Sequence, residues 1–314
     1  MADEIMHIPV LLAETLLFLE PEAGKTFLDG TVGHGGHAEA LLERIAPTGR
    51  LLGIDRDPRN LAVAKKRLAA AGKRAVLVGG RYANLRSLAA ANGFHAFDGI
   101  LLDIGFSSAH VDDPTRGFSF LADGPLDMRY DPSEETKAAA IVNGWTKDEL
   151  ARLFRLYGEE PRAEPIAKLI VDARKRQRFT RTTHLAETIA TAFPRRGNRH
   201  PATLVFQALR IAVNDELEEL KQALPEAIRL LKPGGRLAVI SFHSLEDRII
   251  KQFFAKRDGW EILTKRPMTA SDQERRKNPR ARSAKLRVIE KKPYVPHANN
   301  VRACLESEDD PRLS

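Results

Sequence analysis

The chain is nearly without cysteine: Cys304 is the single one among 314 residues. One thiol excludes an intrachain disulfide and a thiolate metal cluster, and a reducing cytosol is the compartment expected. No apolar run approaches the ~20 residues needed to cross a bilayer. The opening Met1-Ala2-Asp3-Glu4 is acidic, unlike a secretory signal. No internal repeat is present, which argues against a solenoid. What is abundant is basic charge. Fifty lysines and arginines face 42 acids, for a net charge of +8 and a pI near 9.6. Such a balance predicts a polyanionic partner, nucleic acid first of all. The length allows one large or two modest domains, and 43% hydrophobic with 29% charged residues is a globular composition.

From Lys25 to about Asp103, strand and helix signals alternate. Strands are expected at Thr26–Asp29, Arg50–Asp55, Ala75–Val78 and Asp98–Asp103. Helices are expected between them at His37–Ile45, Pro58–Ala71 and Tyr82–Asn92. Asp57-Pro58 is a cap followed by proline at the first helical position. This alternation implies a parallel sheet with right-handed crossovers. It stops at His110, where a stretch rich in Asp, Gly, Pro and Ser reads as a loop to about Asp131. Thr146-x-x-Glu149 is a capping box opening a helix over Asp148–Tyr157, and further helices are expected at Ile166–Arg176, Leu185–Ala192 and Ala202–Leu231. Strand character returns at Arg236–Phe242 after the turn Lys232-Pro233-Gly234-Gly235. Ser244-x-x-Asp247 is read as the cap of a helix to about Lys256, and Glu261–Lys265 and Leu286–Glu290 as the last strands. The layout expected is an α/β core in two parts, 1–110 and 216–295. A helical substrate-recognition domain is inserted over 111–215, and a tail covers 296–314.

The first βα turn is the most informative stretch. Phe27-Leu28 ends in Asp29 and runs into Gly30-Thr31-Val32-Gly33-His34-Gly35-Gly36-His37, and the second strand ends in Asp55. Glycines let the backbone turn sharply and approach a ligand, and a strand-end carboxylate can hold ribose hydroxyls. Gly33-x-Gly35-x-x-Ala38 also satisfies the dinucleotide pattern, so an NAD-dependent oxidoreductase is one reading. Asp29 speaks against it, because a carboxylate there repels a pyrophosphate yet suits the ammonium of a methionine moiety. The form D-x-T-x-G-x-G resembles the first motif of S-adenosylmethionine-dependent methyltransferases. A third reading is an RNA-binding ribosome-assembly factor without catalysis, against which Asp29, Asp55 and Asp103 all speak.

Four more segments are polar without amphipathic cause. Asp103 ends the fourth strand, so it points into the same crevice as Asp29 and Asp55. With Ile104-Gly105-Phe106 after it, the segment loosely resembles the D-P-P-Y motif of amino-methylating enzymes, which offers acceptors for an exocyclic amine and a ring to stack on a flipped base. Arg116-Gly117-Phe118-Ser119-Phe120, with Gly124-Pro125-Leu126-Asp127-Met128-Arg129, has the makings of a lid or base platform. In His200-Pro201-Ala202-Thr203 and Phe206-Gln207-Ala208-Leu209-Arg210, the polar residues His200, Thr203, Gln207 and Arg210 stand out from core spacing. His243 sits where the returning strand ends. His34 and His37 are three apart but lack a third ligand, so no metal is expected. The segment Lys265–Lys292 carries eleven basic against three acidic residues. Arg280 and Arg282 within it suit backbone-phosphate contact, and the acidic Glu306–Asp310 is expected to lie near them.

Taken together, HIPVLL, DGTVGHGGH, GIDRDP, RGFSF, DGPLDMR, YGEE, HPAT, FQALRI, SFHSLEDR and NPRARSAKLR resemble the MraW family of bacterial ribosomal RNA cytosine methyltransferases. The strings run in the family's order from near His7 to Arg287. The resemblance implies a class I S-adenosylmethionine-dependent fold, Rossmann-like with a mostly parallel sheet. It implies methylation of the exocyclic amine of a cytosine in the decoding region of 16S rRNA in the small ribosomal subunit, in the cytoplasm and away from membranes, with homodimerisation left open. It places the cofactor on Gly35, Gly36, His37, Asp55, Tyr82, Asp103 and His110. Tyr82 stands where phenylalanine is usual, and His110 where glutamine is. Leu204-Val205 ahead of Phe206, and the prolines Pro161 and Pro165, also depart from the family. The mechanism expected has Asp103, or the backbone beside it, accepting an amine hydrogen while Arg116–Arg129 closes over the base. Arg116, Arg129, His243, Arg280 and Arg282 are the residues expected to meet RNA.

Overall fold

Short apolar runs that end in an acid or a glycine, separated by helical stretches with one apolar face, build a parallel sheet covered on both sides. A computed structural model describes residues 9–105, 108–195, 197 and 199–293. His7, Phe106, Ser107, Cys304 and Glu306–Asp310 lie outside these. Helix α1 (Leu12–Leu19) leads into β1 (Thr26–Asp29), α2 (Gly36–Arg44), β2 (Arg50–Asp55), α3 (Pro58–Arg67), β3 (Ala75–Gly79), α4 (Leu85–Ala91) and β4 (Phe97–Asp103). Six helices follow: α5 (Ser108–Asp112), α6 (Ala138–Gly144), α7 (Lys147–Gly158), α8 (Ala163–Arg174), α9 (Thr182–Ala192) and α10 (Thr203–Asn214). Then come α11 (Glu216–Arg229), β5 (Leu231–Ser241), α12 (Ser244–Ala255), β6 (Trp260–Ile262), α13 (Asp272–Lys277) and β7 (Lys285–Lys291). The strand order is β3-β2-β1-β4-β5-β7-β6. The first five strands are parallel, and β7 runs antiparallel between β5 and β6.

Period-two alternation sorts the strand side chains between two cores. Phe27, Leu51, Leu101, Ala238 and Ile240 pack toward α2 and α3, with Ala38, Leu41 and Ala64. Leu28, Leu52, Ile54, Ile100, Leu102 and Val239 pack toward α4 and α11, with Leu85, Leu220 and Leu224. The helices between β4 and β5 bury a third core drawn wholly from Leu126 to Val213, centred on Phe154, Ile166, Phe179, Leu185 and Leu209.

Several boundaries differ from expectation for local reasons. The single helix expected over Ala202–Leu231 is two, because Asp215 takes the left-handed conformation (φ 55°) and breaks the ladder. Aspartate is one of the few residues that visits this region readily. The cap of α12 is His243, whose side chain accepts from the Glu246 amide, and not Ser244. The expected helices Pro58–Ala71 and Tyr82–Asn92 each contain a 3-10 turn, at Ala69–Arg74 and Tyr82–Asn84. Strand β5 begins at Leu231, so Lys232-Pro233-Gly234-Gly235 lies inside it as an irregularity in the ladder with β4. Strand β6 starts one residue before the expected Glu261 and stops at Ile262. Helices α1, α5, α6 and α13 were not expected. Thr146 and Glu149 do form the capping box of α7.

Candidate active site

Strand β1 pairs with β2 on one side and β4 on the other, so the chain's crossovers diverge there and a crevice opens beyond the strand ends. Asp29 is in register with Gly53 and Leu101, which leaves Asp55 and Asp103 each two residues beyond it, on either side of the glycine turn. That turn is stapled to both neighbours. Gly30 N donates to Leu101 O (2.9 Å), Val32 N to Ile54 O (2.8 Å) and the Asp103 amide to Thr31 Oγ1 (2.6 Å). Gly33 at φ 53° and Gly35 at φ 83° supply the left-handed steps it needs. A Cβ on Gly36 would fall 2.5 Å from Pro9 Cγ, so the turn is also pressed against the N-terminal segment.

The crevice wall includes Gly30–Gly33, Gly36, His37, Asp55, Tyr82, Asp103, His110 and Arg280. It spans about 1050 Å³ of space between atoms, part of it open to solvent. Six of the seven residues expected to hold a cofactor therefore share one wall. Gly35 does not, because its amide is committed to Val32 O (2.7 Å) and its Cα faces Leu68. Asp29 is almost fully buried beneath the turn, where Oδ1 accepts from Thr31 N (3.1 Å). Asp55 holds the Gly33 amide on Oδ2 and the Asp57 amide on Oδ1, each at 2.8 Å.

Burial pushes the Asp29 and Asp103 carboxyls up to about 7 and that of Asp55 up to about 6. The Asp103 Oδ1 is buried with no hydrogen-bond partner. Its Oδ2 lies 3.7 Å from Nδ1 of His37, whose Nε2 faces Val10 O at 3.0 Å and so carries the ring hydrogen. Arg280 adds a positive charge that lowers the Asp103 carboxyl.

The loop arginines point elsewhere than expected. Arg116 is buried, donating Nη1 to Asp57 Oδ2 (2.8 Å) and Nη2 to the carbonyls of Arg129 (3.0 Å) and Tyr130 (2.9 Å). Arg129 donates to both oxygens of Asp127 (2.7 and 2.9 Å) and to the carbonyls of Pro132 and Glu134. Both therefore brace the segment 116–134. His110 places Nε2 2.8 Å from the same Asp57 oxygen. Burial pushes Asp57 up, but the bonds from His110 and Arg116 outweigh it and hold the carboxyl down at about 2. Arg280 is not remote from the cofactor motifs, since the segment before β7 folds back over the crevice. Arg282 is exposed, with Nε 3.4 Å from Arg275 O.

Sequence reasoning missed Asn214, Tyr130, Glu216 and Arg56. Asn214, fully buried, donates to the carbonyls of Met128 (2.7 Å) and Arg210 (2.9 Å), accepts from Tyr130 N (2.8 Å), and gives its own carbonyl to Arg56 Nη1 (2.9 Å). It ties the loop, the inserted helices and the β2 end together. Glu216, His243 and Glu246 bring ligand atoms within 4.8 Å of one another, a grouping that can hold a cation. A cation is already there: Arg210 donates to both Glu216 oxygens (2.8 and 2.9 Å), and Tyr130 Oη donates to one of them (2.9 Å).

The model of the MraW methylase family matches residues 4–292. The chain belongs to the MraW methylase family. Ribosomal RNA small subunit methyltransferase H of Thermomicrobium roseum is 49% identical over 304 residues, covering 91% of this chain and 93% of that one. The protein of the same name from Heliobacterium modesticaldum is 47% identical over 307 residues, covering 91% and 98%. An MraW methylase draws its methyl group from S-adenosylmethionine. The crevice of this MraW methylase fits that donor: a tight glycine turn, a strand-end acid at Asp55 for ribose hydroxyls, the Tyr82 ring on the wall, and strand-end carboxylates suited to a cation. The seven-stranded order with antiparallel β7 is the class I methyltransferase sheet, Rossmann-like and mostly parallel. Among the described residues, no helix is long and apolar enough to cross a membrane.

Proposed function

We propose that this MraW methylase methylates the exocyclic amine of a cytosine in the decoding region of 16S rRNA, acting on the small ribosomal subunit in the cytoplasm. The observation that carries the reading is Asp103: a partly exposed carboxylate at the crevice wall whose Oδ1 is buried and unpaired, with its carboxyl raised to about 7. Bound S-adenosylmethionine supplies an activated methyl on a positively charged sulfur. Cytosine's amine is a poor nucleophile because its lone pair is delocalised into the ring. The protein's task is alignment and an acceptor for one amine hydrogen. Asp103 Oδ1 accepts that hydrogen, and a cation bound alongside favours its ionised form. Asp103 would take the proton that the amine loses on methylation and pass it to solvent. Asp55 would hold the ribose, and His37, fixed by Val10 O, lines the crevice beside Asp103. The inserted helices and the exposed Arg282 face the RNA.

The test is direct. Small subunits incubated with the protein and methyl-labelled S-adenosylmethionine should gain label in 16S rRNA as N4-methylcytidine on nucleoside mass spectrometry. Label on ribose oxygen or ring carbon, or none, would overturn the reading.

A further inference from the structure

A second cavity opens beside the crevice and shares two of its walls, Phe242 and Arg280. It spans about 910 Å³ on the same measure, part of it open to solvent. Its walls are chiefly aromatic: Phe120 and Phe206 meet edge to face at 4.8 Å, and Phe242 closes the side toward Asp103. The Phe242 ring lies against Gly105, the second residue past Asp103, so that a Cβ there would sit 2.4 Å from Cε2. Among its polar side chains, which include Thr203, Arg210, Arg280 and Ser283, Gln207 and His243 give the cavity direction.

The hydrogen positions of both follow from their partners. Gln207 Nε2 donates to Tyr157 O at 3.0 Å. A carbonyl only accepts, so the amide orientation is settled and Oε1 is the remaining acceptor. His243 Nδ1 accepts from the Glu246 amide at 3.5 Å, so in the neutral ring the hydrogen sits on Nε2. That Nε2 is buried and makes no hydrogen bond, although Glu246 Oε1 is 3.0 Å away out of alignment. The His243 side chain is only 10% exposed, and a buried N–H whose one nearby acceptor is misaligned gains from a ligand that supplies an aligned one.

We propose that this second cavity seats the target base itself, a pyrimidine turned out of its RNA stack, with Phe120 as stacking partner and Gln207 and His243 as the groups that distinguish cytosine from uracil. The inference rests on the proposed methyl transfer to a cytosine amine. Aromatic faces with a few convergent polar atoms are how proteins hold flipped bases. Cytosine offers an acceptor at N3 for the His243 N–H, and amine hydrogens for the Gln207 oxygen. Uracil carries a ring N–H at N3 and a carbonyl in place of the amine, so both contacts turn repulsive. Phe242 and Arg280, common to both cavities, then mark the border across which the amine meets the methyl donor. His243 and Gln207 are positioning residues in this scheme.

Two substitutions test it. His243→Asn keeps a good helix cap for α12 and removes the ring N–H. Phe120→Leu keeps apolar volume and removes the ring. Each is compared with the unaltered protein in thermal melting, calorimetric affinity for S-adenosylmethionine, and single-turnover methyl transfer to small subunits. The expected result is unchanged cofactor affinity with transfer slowed roughly tenfold or more, the scale of one lost base stack or base hydrogen bond. Transfer within about twofold of the unaltered protein for either folded variant would overturn the proposal. If Phe120→Leu does not fold, His243→Asn decides it alone. An unaltered protein that transfers no label fails the proposed reaction instead, which separates the two outcomes.

Discussion

Arg116 reaches back 59 positions to place Nη1 2.8 Å from Oδ2 of Asp57. Both groups are buried, and the same guanidinium holds two carbonyls of the loop that follows. The residue after next beyond β2 and the loop after β4 are thereby one unit. Arg116→Ala leaves Asp57 with His110 and the Arg59 amide but without its buried cation. The expected loss in stability is about 3–5 kcal/mol, the cost of breaking a buried ion pair from one side. Chemical denaturation checks it. The dependence of RNA affinity on salt should stay as in the unaltered protein, because Arg116 touches no phosphate.

Acid and base act oppositely on the cofactor-free protein. Asp29 and Asp103, raised by burial from an ordinary 3.8 to about 7, favour the folded state when protonated. Their contribution is complete below about pH 4 and is lost as pH rises through 7. Asp57, held down at about 2, contributes above its ordinary 3.8 and is lost as pH falls through 2. The melting temperature should therefore decline from pH 5 to pH 8. Asp103→Asn should flatten part of that decline and stabilise the cofactor-free protein at pH 8 by on the order of 2 kcal/mol. The same substitution should abolish turnover at saturating cofactor.

Affinity for S-adenosylmethionine should run the other way. Asp55 ionises near 6 and Asp103 near 7, and a cationic ligand prefers both charged. Calorimetry from pH 5.5 to 8 should show binding tightening as pH rises. Asp55→Ala should weaken it by about 1–3 kcal/mol, the loss of a charged hydrogen-bond partner.

Arg280 and Arg282 should separate. Arg282→Gln removes an exposed cation and should lower the slope of log RNA affinity against log salt by about 0.7, the single-strand contribution of one phosphate contact. Arg280→Gln removes the positive charge that lowers Asp103. Its expected signature is an acid limb of the transfer rate displaced to higher pH.

The parts legible in the chain were those with local causes. Apolar runs ending in Asp29, Asp55 and Asp103 announced β1, β2 and β4, since a strand-end acid beside a glycine turn has no packing reason to be there. Thr146 and Glu149 announced α7, because a cap and its reciprocal partner lie three residues apart. What was not legible depends on partners far along the chain. Arg116 and Arg129 look like RNA contacts until Asp57, Asp127 and four carbonyls claim them. Asn214 reads as one more helical residue, because its partners at Met128, Tyr130 and Arg56 follow no period. Arg280 reads only as a phosphate contact, because nothing in its neighbours says that β7 inserts between β5 and β6.

That insertion has a consequence for how the protein is made. Strand β7 is the last to be synthesised, yet it pairs along β5 and carries the sheet's far edge. The crevice glycines emerge from the ribosome some 250 residues before Arg280, which completes their wall. A growing chain can form β1 to β4 early, as N-terminal segments generally do. It acquires a whole site only when β7 docks. Until that strand docks, the glycine turn of a growing chain lacks one wall of its crevice.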